Sequence, residues 1–231
     1  MKENAPVSER TEKEKALHDM LAEIDTWVDG LGRGLDGGSK EIVAIMNVMG
    51  LSTEQSCEGH ADFEVSHSLW PWIRLAIPDK PEERFVGELD ALDKAYKIVS
   101  EQNGVDLDDL MHGEPEDLYW QVQREFYTSE ELQKTPEYVD WEEKEALLGE
   151  RVRSLVDEFN ADRDFEAGIS LVVDGVGIEV RSNMDKEVYV KARDLSFTDD
   201  DIESAKELLP RRQEEMRAFM EFLMKKYFGE I

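Results

Sequence analysis

The stretch "GISLVVDGVGIEVRS", residues 168–182, constrains the fold of this chain more than any other segment. Asp174-Gly175 fits a two-residue hairpin turn between two runs of alternating residues. That turn predicts the pairs Val173–Val176, Leu171–Ile178 and Ile169–Val180, so one face of the hairpin is aliphatic. The opposite face carries Ser170, Glu179 and Arg181. An aliphatic face of this kind has to be covered, which predicts an antiparallel sheet with helices packed on one side.

The remaining elements follow from apolar spacing and from helix-end signals. Two further strands are predicted at Glu54–His60 and Trp72–Ile77, and "EVYVKA" is a candidate for another. Helices are predicted at about 8–28, from a cap at Ser39 to Gly50, from Pro81 to Asn103-Gly104, through an acidic region of about 105–160, and from Thr198 onward with a kink or break at Pro210. Within the acidic region, Thr135 is a candidate helix cap. The sequence therefore predicts a single α+β domain over residues 1–231, with a mainly antiparallel sheet of four to five strands and an acidic helical insertion at about 105–160.

The net charge narrows the classes of partner that the protein can bind. Fifty-five acidic residues against 27 basic ones give a formal charge of −28. Nucleic acids and anionic membranes are bound by lysine and arginine, which replace the counterions that are released on binding, so a chain of this charge is a poor match for both. A basic protein partner fits the charge, and so does a surface that only keeps the protein in solution.

The single cysteine and the lack of long apolar runs bear on location. One cysteine cannot form an internal disulfide, so the chain needs no oxidising compartment. The first residues, "MKENAPVSERTEKEK", have no apolar core for a signal peptide, and no run of about 18 apolar residues occurs. We therefore expect a cytoplasmic protein.

The segment "SCEGH", residues 56–60, contains that cysteine and one of four histidines. In a straight strand, Glu58 and His60 point to the same face while Cys57 points away. A pairing of Cys57 with His60 therefore requires a turn at Gly59, which glycine permits because it adopts positive φ angles.

Four interpretations of this segment stay open. Cys57 is a candidate nucleophile with His60 as its base. Cys57, Glu58 and His60, with Asp62 or His67, offer metal-binding side chains, although no spacing here matches a zinc framework. The segment is also a candidate wall of a small-ligand pocket. In the structural interpretation, Cys57 is a buried apolar residue, Gly59 a bulge and His60 a surface residue.

The pocket interpretation adds residues from neighbouring strands. Glu58 or His60 serves as acid or base, and Arg74 or Arg181 as an anion anchor. The residues predicted to bind the ligand are Trp72, Arg74, Glu179 and Arg181, beside the candidate catalytic residues Cys57, Glu58 and His60. The pattern identifies neither the ligand nor a cofactor, and it does not establish an enzymatic activity.

The glycine run "DGLGRGLDGGSKE" precedes this segment. Backbone amides at a helix start bind anions, which favours a phosphate loop. The order Gly38-Ser39-Lys40 differs from that of a P-loop, and a helix rather than a strand precedes it. A flexible link between two helices is therefore the favoured interpretation.

The segment "MGLSTEQSCEGHADFEVSHSLWPWIRL" resembles a set of uncharacterised bacterial proteins in which Ser-Cys-Glu-Gly-His is followed, after a short variable loop, by Pro-Trp and a strand. The similarity extends to "SLVDEFNADRDFEAGISLVV" and to "EEMRAFMEFLMKKYF". This resemblance implies no particular activity, but it favours a functional role for residues 56–60. A weaker likeness joins the segment to the wybutosine-synthesis methyltransferases, whose Ser-Cys-Ser-Gly-Arg stretch also follows a helix and opens a sheet. Glu58 and His60 replace the serine and arginine of that family, so the likeness implies only that the strand can line a pocket.

Overall fold

The structure, a computed structural model, describes residues 7–28, 32–60, 70–128, 132–161, 163, 169–182 and 198–231. Helices and strands are both present, and the predicted α+β class is confirmed. In chain order the elements are α1 (Val7–Ile24), α2 (Lys40–Val48), β1 (Thr53–Cys57), β2 (Trp72–Leu75), α3 (Glu88–Asn103), α4 (Leu107–Met111), α5 (Glu116–Tyr127), α6 (Pro136–Asn160), β3 (Ile169–Asp174), β4 (Gly177–Ser182) and α7 (Asp199–Phe228).

The chain divides into two compact units. Unit 1 comprises Met1–Ala76 and Glu145–Ile231, and unit 2 comprises Ile77–Lys144. Unit 2 begins before α3 and ends within α6, so its limits differ from those of the insertion predicted at about 105–160. That the two units form one domain stays a prediction.

Unit 1 contains an antiparallel sheet with the strand order β1-β2-β4-β3, and these are the strands of the sheet within the described residues. Ile73 of β2 lies between Ser56 of β1 and Ile178 of β4. Trp72, on the other face, lies between Cys57 and Glu179. Strands β1 and β2 are both shorter than the sequence predicted. The "EVYVKA" segment lies outside the described residues.

The β3–β4 hairpin forms with a register that differs from the prediction. Val173 pairs with Ile178 rather than Val176, and Asp174 pairs with Gly177. The turn is therefore Gly175-Val176, with a φ of 59° at Gly175. A positive φ at the first turn position alone is the pattern of a type II′ turn, which takes glycine there. A shift of two residues leaves each side chain on its predicted face, so the aliphatic face is retained.

The core of unit 1 lies between the aliphatic face of the sheet and the helices. The contributing residues of α2 are Ile42, Val43, Ala44, Ile45 and Met46, those of the sheet are Ile73, Leu75, Ile169, Leu171 and Ile178, and those of α7 are Met216, Phe219 and Leu223. These buried residues form one apolar stripe on each helix, at the apolar spacing from which α2 and α7 were predicted. Their burial places both helices on one side of the sheet.

Two helix details bear on the predictions. Helix α7 is continuous through Pro210, so the predicted division into two helices is wrong, while the alternative of a kink at Pro210 stays a prediction. Burial of Ala205 on one side of the proline and Met216 on the other favours one helix, which offsets the single backbone donor that proline lacks. At α2, Ser39 is the N-cap residue but its side chain makes no capping hydrogen bond, because its backbone is already helical.

Unit 2 has a small core of its own. Tyr96 and Val99 of α3, Leu110 of α4 and Val122 of α5 are buried together. Asp106 caps α4, and the predicted cap Thr135 accepts from the Tyr138 amide at 3.1 Å at the start of α6. Within the described residues, no helix is both long and apolar enough to span a membrane.

Candidate functional site

Strand β1 ends at Cys57, and the chain then turns at Gly59, where φ is 79°. The turn brings His60 back toward Cys57, as a pairing of these two residues requires. Asp36, from the glycine run, completes the group. One ligand atom each from Asp36, Cys57 and His60 lie within 4.8 Å of one another, and we call these three residues the reactive cluster.

Gly59 is confined by the Leu209 side chain and by the Trp70–Pro71 peptide bond. A Cβ atom at this position would lie 2.8 Å from Cδ1 of Leu209 and 2.9 Å from backbone atoms of Trp70 and Pro71. Other residues adopt this φ region only with strain. The position therefore needs glycine for its φ angle and for the space that its missing side chain leaves.

The backbone of Glu58 is held on both sides. Its amide donates to Oδ2 of Asp36 at 3.4 Å, and its carbonyl accepts from Nε2 of Gln213 at 3.2 Å. The first contact comes from the glycine run and the second from α7. The turn that orients the reactive cluster is thus fixed from two distant parts of the chain.

The side chain of Glu58 binds the glycine run. Its Oε2 accepts from the amide of Gly38 at 2.7 Å, and a Cβ atom at Gly38 would lie 2.5 Å from that oxygen. Asp36 and Gly38 of the run therefore contact the Cys57–His60 turn, while its predicted roles as a flexible link or a phosphate loop stay predictions. Glu58 was predicted as a catalytic acid or base, and here its carboxylate contacts a backbone amide beside the cluster.

His60 and Asp36 face each other at the surface. Nε2 of His60 lies 3.2 Å from Oδ2 of Asp36, and their side chains are 34% and 33% exposed. Cys57 is 9% exposed, and its Sγ accepts from the Gly59 amide at 3.3 Å. The thiol lies at the buried end of a cluster whose other two members reach solvent.

The three groups converge on one point rather than forming a relay. In a Cys–His–Asp relay, the imidazole stands between its partners, which puts the sulfur and the carboxylate oxygen roughly 7 Å apart. Here Sγ of Cys57 and a carboxylate oxygen of Asp36 lie within 4.8 Å. The arrangement suits three groups that contact a common ligand.

The residues predicted to bind the ligand are only partly placed beside the cluster. Trp72 pairs with Cys57 across the ladder, and Arg74 is the next residue along the same face. The guanidinium of Arg74 is 3.7 Å from Glu54, and its side chain is 61% exposed. Glu179 pairs with Trp72, and Arg181 pairs with Ser170 on the far strand, while the side chains of both lie outside the described part of the structure. Their role stays a prediction.

Three residues near the turn were not predicted as site residues. Asp36 and Gln213 contact the turn directly, as described above. Arg212, 2% exposed, places its guanidinium carbon 5.6 Å from the ring centroid of Trp70. No spacing rule joins positions 36, 57 and 212, so only the tertiary fold identifies them. The candidate metal ligands Asp62 and His67 lie outside the described residues.

A cavity of about 330 Å³ lies elsewhere in unit 1, between α1 and α7. Its apolar lining comes from Leu17, Leu21, Met220, Met224 and Phe228. No residue of the reactive cluster lines it. The cluster is therefore a site at the protein surface and not part of this cavity.

Comparisons of the chain with protein-family models, with curated proteins and with solved structures find no match. The resemblances stated for the 49–75 segment therefore stay predictions.

Proposed function

We propose that the protein binds a small ligand at the reactive cluster, with Asp36, Cys57 and His60 as the contacting groups. The observation that carries the proposal is their convergence: three chemically different side chains from two chain segments lie within 4.8 Å of one another. A few convergent polar groups on a rigid support are the usual form of a small-ligand site.

The support around the turn favours a binding role. Binding sites require side chains that are positioned before the ligand arrives, because ordering them afterwards costs free energy. The Glu58 amide, carbonyl and carboxylate all have partners, from Asp36, Gln213 and Gly38. A cysteine with only a packing role needs neither an imidazole nor a carboxylate beside it. Catalysis by Cys57, Glu58 or His60 stays a prediction within this proposal.

Fragment binding tests the proposal through the thiol. We expect compounds found by ligand-observed NMR to slow alkylation of Cys57, the single cysteine of the chain, by iodoacetamide. We expect their affinity to fall roughly tenfold or more in His60→Ala and Asp36→Ala, since each change removes a polar contact. The matched control is His18→Ala, because the side chain of His18 is 84% exposed on α1. Fragments that bind these variants as well as the unchanged protein, or that leave alkylation unaffected, would refute the proposal.

A second candidate function rests on the α4–α5 surface of unit 2. Met111 and Trp120 are 46% and 52% exposed there. Around them in the sequence lie exposed acidic residues, namely Asp106, Asp108, Asp109, Glu114, Glu116 and Asp117. Exposed apolar side chains among acids suit a basic amphipathic segment of another protein, which would contribute an apolar stripe and lysine or arginine.

Calorimetric titration with a synthetic Lys/Leu amphipathic helix tests this second candidate. Combining Asp109→Asn, Glu114→Gln and Asp117→Asn is expected to weaken binding about tenfold, since three exposed ion pairs of roughly 0.5 kcal/mol each add to about 1.5 kcal/mol. The control combines Glu12→Gln, Asp19→Asn and Glu23→Gln on the exposed face of α1. An equal loss in both triple variants would show attraction to the net charge alone and would dismiss a defined surface.

A further inference from the structure

We infer that the reactive cluster binds a zinc ion through a carboxylate oxygen of Asp36, Sγ of Cys57 and a ring nitrogen of His60, with a fourth position left open. The inference rests on the proposed function, because the small ligand would bind at that open position. It goes further by naming the group that holds the ligand.

The distances within the cluster fit a shared metal ion. Zinc bonds of 2.0–2.3 Å in a tetrahedron separate the ligand atoms by about 3.3–3.8 Å. Nε2 of His60 and Oδ2 of Asp36 are 3.2 Å apart, and the three ligand atoms are all within 4.8 Å. Small side-chain rotations bring such a set onto one ion.

A backbone hydrogen bond to the sulfur suits a metal-bound thiolate, the form in which cysteine binds metals. The Gly59 amide donates to Sγ of Cys57 at 3.3 Å, which directs the positive end of an N–H dipole at the sulfur. The Glu58 amide does the same for Oδ2 of Asp36 at 3.4 Å. Such contacts orient ligand atoms and are a regular feature of metal sites in proteins.

The donor set selects the metal. One sulfur, one nitrogen and one oxygen suit zinc, whereas magnesium and calcium take oxygen donors. On binding, Zn²⁺ replaces the proton of Cys57, which passes to solvent, and its charge neutralises the thiolate and the Asp36 carboxylate. Without the ion, these two anions would repel each other at short range.

The described residues supply three ligands, and the fourth position is the one that we assign to the small ligand. Structural zinc sites have four protein ligands, whereas catalytic sites have three and leave one position for water or substrate. His60 and Asp36 are each about one-third exposed, so the open position faces solvent. A ligand with an anionic or neutral oxygen, nitrogen or sulfur donor would enter from that side.

Metal analysis of the full chain tests the inference. Protein produced without an affinity tag and purified without chelator is expected to carry about one equivalent of zinc. After chelator treatment, Co²⁺ is expected to restore binding and to give a thiolate-to-cobalt charge-transfer band. That band is expected to disappear in Cys57→Ser, whose hydroxyl replaces the sulfur in a similar volume. Metal affinity is expected to fall more than roughly tenfold in Asp36→Ala and His60→Ala, and to stay unchanged in His18→Ala.

The outcomes separate this inference from the proposed function. Zinc far below one equivalent, with no charge-transfer band on adding Co²⁺, would overturn the inference. The zinc content and the band are both measured on the unchanged chain, so this outcome does not depend on whether the variants fold. Fragments that still protect Cys57 in that metal-free protein would leave the proposed function standing. Stoichiometric zinc that depends on Cys57 would support the inference, and the absence of any protecting fragment would then refute only the ligand-binding proposal.

Discussion

Replacing Glu88 with alanine is expected to destabilise unit 2 by about 3 kcal/mol, because it removes one acceptor from several donors at once. The carboxylate of Glu88 is 3% exposed and accepts from the amides of Arg84 and Phe85 and from the hydroxyl of Tyr127. The Arg84 guanidinium lies 3.0 Å away. The Arg84 side chain is 39% exposed, so water can solvate its charge after the change, which keeps the loss below that of a fully buried ion pair.

Hydrogen exchange measured by mass spectrometry resolves the loss by unit. Peptides from 77–144 should exchange faster in the variant, while those of the unit 1 sheet should change little. Glu82→Ala is the control, because Glu82 is an exposed acid in the segment just before Arg84. Equal exchange in both variants would show that Glu88 contributes no more than an exposed carboxylate.

The stability that Glu88 contributes should also depend on pH. Burial raises the pKa of Glu88, but the hydrogen bonds from Tyr127, Arg84 and Phe85 and the charge of Arg84 together outweigh it and leave the pKa below its ordinary value. A carboxylate whose pKa is lowered by folding stabilises the protein above its unfolded-state pKa, and this stabilisation is lost as the pH falls through the folded-state value. The difference in stability between the unchanged protein and Glu88→Ala should therefore be largest near neutral pH and shrink below the ordinary range of glutamate. Urea unfolding at several pH values measures it, and a difference that grows on acidification would contradict the assignment.

The aliphatic faces were predictable from the sequence, and the hairpin register was not. A face buried on one side forces a period of two in a strand and about 3.6 in a helix, which is why the stripe of α2 and the inner residues of β3 and β4 could be identified. A register shift of two residues leaves that period unchanged, so the pattern could not distinguish Val173–Val176 from Val173–Ile178. The backbone conformation of Gly175 decides the register, and this conformation depends on the turn as a whole.

The candidate site was predictable only where its residues are close in sequence. Strand geometry alone indicated that Gly59 must turn if Cys57 and His60 are to meet. In the sequence, Asp36 precedes α2 and the turn follows β1, so their contact depends on how α2 packs on the sheet. The sequence of a glycine run between two helices does not indicate that its aspartate will contact a strand end. The residues next to the run favoured a flexible link for this reason.

Replacing Gly59 with alanine is expected to destabilise unit 1 by about 3 kcal/mol, the sum of a left-handed backbone penalty of about 1–2 kcal/mol and the cost of forcing a methyl group into a filled space. Its φ is 79°, and the new Cβ would lie 2.9 Å from backbone atoms of Trp70 and Pro71. Backbone atoms cannot rotate away as a side-chain end can. The turn must therefore shift, and His60 moves with it away from Cys57 and Asp36.

Gly50→Ala separates the two contributions, since Gly50 has a φ of 74° in the same unit but its nearest neighbour would be 3.8 Å from the new Cβ. We expect this control to lose only the backbone part, about 1 kcal/mol, in urea unfolding. Gly59→Ala should in addition change the alkylation rate of Cys57, because the Gly59 amide that contacts the sulfur is displaced. Equal destabilisation by the two substitutions would show that the turn has room for a side chain. An unchanged alkylation rate would show that neither the position of His60 nor the contact of the Gly59 amide controls the reactivity of the Cys57 thiol. The tight packing at Gly59 would then serve the fold rather than the reactive cluster.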